Sequence, residues 1–294
     1  MQLGERILVL VLTAVLCAVA AAAAQATPVA HHETKSPAQV VRYWTPERMA
    51  NAKPAERIAG KSPQKGKPGG GGTSSTATEV PLPYPSAEGK VWFTDNGVNY
   101  VCSGSALVSA NESLVWTAGH CVNEGPGAFF TNFLFVPAYR DGATPYGVFP
   151  ASTLMTTSGW RNSGEFGVDV GAAVVSPNSA GQTLTDAVQE ISPVFNSVRN
   201  QAYTLYGYPA AGKFFGKRMY ACNTAWQLDD TSAIPATMGV PCNMTGGSSG
   251  GGWLTSSGQL ASQVSYGYSS LKNVLFGPHL ETEAQQLYQA AQAP

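Results

Sequence analysis

Charge is scarce in this sequence. Of its 294 residues only 12% are Asp, Glu, Lys or Arg, and the formal net charge is −1. No global positive field is available to draw the chain to nucleic acid or to an anionic lipid surface. Histidine is scarcer, at four residues. The five cysteines include no C-x-x-C pair and have no histidine pair nearby, which excludes the common zinc spacings. No cofactor or metal is expected. After one N-terminal stretch, no apolar run approaches the ~20 residues that cross a bilayer.

The sequence does hold ample apolar surface (44%) and many turn formers, with 32 Gly and 20 Pro. That balance suits short strands joined by turns, in one large all-β domain or two ordinary ones. Apolar runs at 90–94, 100–108, 114–118, 169–175, 202–208, 259–266 and 274–276 are predicted strands, separated by Gly, Pro and Asn. Residues 281–291 read as a closing helix, with acids in the first turn and Leu287 and Tyr288 as its apolar patch.

Residues 7–19 are apolar, follow Arg6, and lead through an Ala-rich stretch to Ala24-Gln25-Ala26. This is the layout of a signal peptide, 1–26, with cleavage after Ala26. The mature protein is expected outside the cell and free of the membrane. Thr45-Pro46-Glu47 reads as a helix start that Pro54 limits. Residues 60–85, rich in Lys, Pro, Gly and Ser, read as a linker open to proteolysis. Residues 27–85 are therefore expected to be a propeptide with its linker, a partner to the domain at 86–294. Residues 27–80 carry eight Lys/Arg against four Asp/Glu, and 81–294 carry eight against thirteen. A basic pro-segment docking on an acidic domain fits that split; two solvated surfaces of chance composition fit it as well.

Without Cys17, four cysteines remain, and in an exported chain they suggest disulfides. Of three connectivities, the sequence-local pairs Cys102–Cys121 and Cys222–Cys242 are preferred. The first pair brackets Thr117-Ala118-Gly119-His120-Cys121. Far downstream, Gly246-Gly247-Ser248-Ser249-Gly250-Gly251-Gly252 can expose a serine hydroxyl while turning peptide N–H groups inward. Between them, Gly167-Val168-Asp169-Val170-Gly171 places one acid in an otherwise apolar strand, and a buried carboxylate requires a partner.

In the order His120, Asp169, Ser249, these blocks resemble the chymotrypsin/trypsin family, closest to secreted bacterial glutamyl-endopeptidase-like members. The resemblance implies two six-stranded antiparallel β-barrels with a C-terminal helix, acting as a serine endopeptidase on protein or peptide substrates, as a monomer. It implies that Ser249 attacks, that His120 carries the proton, and that Asp169 orients the ring. By the same resemblance the Gly247 and Ser249 N–H groups form the oxyanion hole, and Val264-Ser265-Tyr266-Gly267 matches the substrate-binding edge strand. Asn243 falls at the base of the specificity pocket, where a neutral residue argues against Lys or Arg. Substrate-binding residues are thus expected at Asn243, Ser265, Tyr266 and Gly267. Ser248 stands where the family has Asp, so an Ile58 ammonium freed after Arg57 would find no acid beside Ser249.

Two rivals remain in view. Gly247-x-Ser249-x-Gly251 also matches an α/β-hydrolase elbow, but residues 250–278 contain no acid to follow the serine. A non-catalytic binding protein on the protease fold would have lost triad residues, and all three are present.

Overall fold

In the computed structural model, which describes residues 27–57, 59 and 75–293, the N-terminal segment lies folded on the rest of the chain. The expected signal peptide and residues 60–74 of the linker fall outside the described residues. Strand β1 (Val29–His32) adds antiparallel to the barrel strand at 149–156. Helix α1 (Pro37–Tyr43) begins at Ser36, which forms a capping box with Gln39; α2 (Pro46–Asn51) begins at Thr45, whose side chain accepts from Arg48 N–H. The Thr45 start was legible in the sequence and α1 was not. Val40 is fully buried, and Trp44 Nε1 donates to Asn132 O at 2.6 Å. Burying such side chains contributes about 1.5–3 kcal/mol each. His31 and His32, on β1, stack on Phe129 and bond Thr153 Oγ1 respectively. The two-residue strand β2 (Lys53–Pro54) follows. The sequence reading places residues 75–85 in the linker; in the structure Ala77 is buried in the core of the second half, and β3 (Thr78–Glu79) pairs there.

Six strands close the first barrel: β4 (Glu88–Asp95), β5 (Val98–Leu107), β6 (Leu114–Thr117), β7 (Thr131–Pro137), β8 (Phe149–Thr156) and β9 (Gly171–Val175). Every pairing is antiparallel, in the order β8-β7-β4-β5-β6-β9, and β9 returns to β8. In β4 and β5 alternate residues serve two cores. Val91, Phe93 and Ala106 point into the barrel, while Trp92 and Val101 pack outside it against Val40, Trp44 and Tyr208. Burial on both faces explains why these strands read as continuous apolar runs. Short helices α3 (Ser158–Ser163) and α4 (Leu184–Ala187) lie on the connections around β9.

The second half contains two antiparallel sheets around one core. One is built from β10 (Ala202–Gly207) and β11 (Tyr220–Ala225) with β14 (Gly252–Thr255), β15 (Leu260–Gln263) and β3; the other from β12 (Leu228–Asp230), β13 (Thr237–Pro241), β16 (Tyr266–Tyr268) and β17 (Leu271–Gly277). Leu205, Met238, Val240 and Trp253 meet between them. The Cys222–Cys242 disulfide fastens β11 to the end of β13. The predicted strand at 259–266 is thus two strands, broken at Val264-Ser265. Helix α5 (Thr282–Ala291) closes the chain by packing Ala284, Leu287 and Ala291 on the first barrel's core.

Candidate active site

His120 sits in a single 3-10 turn (Gly119–Cys121) at the end of β6, and the Cys102–Cys121 disulfide ties that turn to β5. A side chain at position 119 would strike Trp160 at 2.8 Å and Asp169 Oδ1 at 2.9 Å, which accounts for glycine there. The Trp160 ring lies 6.2 Å from the imidazole, and its Nε1 donates to Asn123 O.

Asp169 does not stand within a strand, as the apolar pattern suggested. It follows a 3-10 turn (Phe166–Val168), and β9 starts only at Gly171. Two threonines hold the backbone on either side of it: Thr157 Oγ1 donates to Val168 O at 2.6 Å, and Thr156 Oγ1 to Val170 O at 2.7 Å. The carboxylate, fully buried, accepts the His120 backbone N–H on Oδ1 at 2.8 Å. His120 Nδ1 lies 2.7 Å from Oδ2. Burial alone would raise this carboxyl's pKa, but the His120 ring and the hydrogen bonds from His120 and Ser265 outweigh it and hold the pKa below the usual range. An ionised carboxylate only accepts, so Nδ1 carries the proton. Nε2 is buried and has no hydrogen-bond partner among the described residues.

The glycine-rich loop brings the Ser249 backbone to the disulfide that carries the His120 turn. The Ser249 carbonyl accepts the Ser103 N–H at 2.7 Å and lies 3.8 Å from Cys121 Sγ. Positive φ at Gly247 (95°) and Gly250 (82°) shapes the loop, and a Cβ at Gly250 would sit 2.0 Å from Thr117 Oγ1. Gly247 N–H donates outward, to Ala55 O at 2.9 Å. Ser248, where an acid was missed, turns its hydroxyl to Thr245 O at 2.7 Å.

Two residues that sequence reasoning did not single out support the assembly. Ser103 Oγ donates to Gly247 O and accepts from Tyr208 N–H, both at 2.9 Å, joining the serine loop to the first barrel. Gln263 Nε2 donates to Asp169 O at 3.0 Å, and its Oε1 accepts from Trp116 Nε1 at 3.2 Å. Their only signal was polarity inside apolar strands.

The expected substrate-binding residues divide. Asn243 and Gly267 line a pocket of about 270 Å³ with Tyr268 and Lys272, although Asn243 Oδ1 is engaged by Ala77 N–H at 2.7 Å. Ser265 and Tyr266 turn their side chains elsewhere. Ser265 Oγ donates to Asp169 Oδ2, and the Tyr266 phenol is buried against Asp230 and Thr237. Burial pushes the Tyr266 phenol well above its ordinary pKa, and the hydrogen bond to Asp230 adds to the rise. The Cys102–Cys121 group beside His120 is oxidised, so its sulfurs offer no thiolate to a metal. His279 is held at both nitrogens, by Glu281 and by Ser197 O.

No protein-family model and no curated protein matches the chain. Among solved structures it is similar to the protease Anisep from Arthrobacter nicotinovorans, at 45% identity and a TM-score of 0.68 over 71% of this chain and 97% of that one. It is also similar to AL20, a thermostable serine protease from an extremophilic microorganism, at 41% identity and a TM-score of 0.67 over 70% and 97%. A Glu endopeptidase, 19% identical with a TM-score of 0.59 over 74% and 97%, shares the fold. The chain belongs to the serine proteases of the chymotrypsin/trypsin-like fold.

Proposed function

We propose that the protein is a secreted serine endopeptidase, made with a signal peptide and a pro-segment, in which His120, Asp169 and Ser249 form the catalytic triad. The observation that carries this reading is the buried His120–Asp169 pair set beside the serine loop. With its Nδ1 proton held by Asp169, the neutral ring keeps a lone pair on Nε2 to take the Ser249 hydroxyl proton. Ser249 Oγ then attacks the scissile carbonyl, and the negative oxygen falls to the Gly247 and Ser249 N–H groups. Each such donor is worth about 3 kcal/mol in comparable sites. His120 returns its proton to the leaving amine, and water hydrolyses the acyl-enzyme by the same route. Asn243 and Gly267 belong to the substrate cleft, Gly267 through its backbone. The two disulfides suit an oxidising location outside the cell, and the enzyme is taken to act as a monomer.

Hydrolysis of a denatured protein by the processed enzyme tests the reading. Ser249→Ala and His120→Ala should each abolish turnover, and Ser249→Ala should leave thermal unfolding within a few degrees. Retained turnover in Ser249→Ala would refute it.

A further inference from the structure

Residues 53–57, with Ala59 after them, run across the candidate active site, and their direction is the informative feature. β2 is parallel to β5, with Lys53 opposite Tyr100 and Pro54 opposite Val101. Ala55 N–H extends that ladder to Val101 O at 2.9 Å. The Ala55 carbonyl then accepts the Gly247 N–H, at 2.9 Å. Glu56 lines the pocket that holds Asn243 and Lys272. Beyond it, Arg57 O accepts from Gly267 N–H at 3.2 Å, and Ala59 N–H donates to Gly267 O at 3.0 Å. One residue bonded to two flanking neighbours in this sense is the parallel ladder pattern again. The segment therefore keeps one direction across both halves of the protein.

In a peptide about to be cut, the carbonyl at the oxyanion donors and the side chain in the specificity pocket belong to the same residue, because that residue becomes the acyl group. Here they belong to consecutive residues, Ala55 and Glu56. The Ala55–Glu56 peptide group is presented back to front. Attack of Ser249 Oγ on the Ala55 carbonyl carbon would form a C–O bond, and collapse forward would break the C–N bond and expel the Glu56 amine with a proton from His120. That amine belongs to the residue at the pocket and is tethered beyond it at Gly267, so it cannot depart. Collapse backward re-forms the peptide and returns the proton to Ser249.

We propose that residues 53–57 are a reversed-polarity inhibitor that the cleft binds without cutting, and that the pro-segment stays bound after the linker is severed. The inference rests on the serine-protease reading. Retention follows from anchors independent of the linker: the β1–β8 ladder, buried Val40 and Trp44, and Arg57, whose Nη2 donates to Glu124 O and whose guanidinium lies 5.8 Å from the Trp160 ring. Cutting within residues 60–74 is then a first step, and loss of the pro-segment is the activating one.

The full chain with a sequence-specific cleavage site inserted within residues 60–74 tests this, read by size-exclusion chromatography, mass spectrometry and a fluorophosphonate probe. After the cut, residues 27–59 should co-elute with the remainder, and every bond between 53 and 59 should stay intact. Probe labelling should be about tenfold slower at micromolar protein than after extensive dilution, or than in Trp44→Ala. Separation of the pro-segment immediately on cutting, or hydrolysis inside 53–59, overturns the inference. Full-rate labelling while the segment is still bound does so as well. No labelling even after the segment is stripped away refutes the protease reading itself, and the inference with it.

Discussion

Ser265 Oγ donates to Asp169 Oδ2 at 2.5 Å, the same oxygen that His120 Nδ1 meets at 2.7 Å. The Asp169 carboxylate is thus fixed by a hydroxyl from the second half of the chain as well as by two N–H groups of His120. Removing that hydroxyl strips a charge-assisted bond from a buried carboxylate. Ser265→Ala should cost about 1.5–3 kcal/mol of stability. It should lower kcat more than it changes KM, because the cleft backbone is untouched. Unaltered melting and kcat would show that the contact contributes nothing.

Asp169→Asn keeps the shape and loses the charge. The amide can donate to Nδ1, favouring the tautomer that places the proton on Nε2, where the base is needed. A fall in kcat of about 10⁴-fold is expected at neutral pH, by analogy with other triads. Steady-state kinetics on a small ester or amide substrate checks it; a loss under tenfold would remove Asp169 from the mechanism.

The pocket that holds Asn243 is lined also by Tyr268 and Lys272, and among the described residues its one acidic lining residue is Glu56, of the proposed pro-segment. A Lys or Arg side chain entering it would meet another cation and no carboxylate, and an unpaired charge there is costly. Peptide-library profiling of the processed enzyme should give kcat/KM after Lys or Arg about 100-fold or more below the best residue. Efficient tryptic cutting would show that this pocket does not select the residue.

Glu88 lies buried in β4, with Oε2 accepting from Ser105 Oγ at 3.0 Å and Oε1 without a partner among the described residues. Burial pushes its carboxyl up to about 7. The folded state therefore holds a proton that the unfolded chain releases near pH 4.5, so this contribution is present below that pH and is lost as pH rises through about 7. The loss is up to about 3 kcal/mol. Glu88→Gln should flatten the stability profile across that window and be the more stable protein at pH 8. Denaturant melts of both proteins at several pH values decide it; parallel profiles would contradict the assignment.

What was legible in the sequence was local. The His120 turn, its disulfide and the Ser249 glycine loop are written in consecutive residues whose types have few other uses. Asp169 was found as an acid among apolar neighbours, yet its loop position was hidden, because the turn at Phe166–Val168 breaks no apolar pattern. The roles of Ser103, Gln263 and Ser265 were out of reach. Each hydroxyl or amide meets a partner far along the chain, 144 residues away for Ser103 and Gly247 and 96 for Ser265 and Asp169. Tyr266 sat in a recognisable edge motif, but its phenol is claimed by Asp230, which no pattern announces. The direction of residues 53–57 could not be read either, since a strand's polarity in a cleft is set by what it packs against.

The most direct test of the account is the site of fluorophosphonate attachment in the processed protein, mapped by tandem mass spectrometry. The account predicts one modified residue, Ser249, with labelling lost in Ser249→Ala and strongly slowed in His120→Ala. Attachment at Ser248 or elsewhere, or no attachment once the pro-segment is gone, would contradict it.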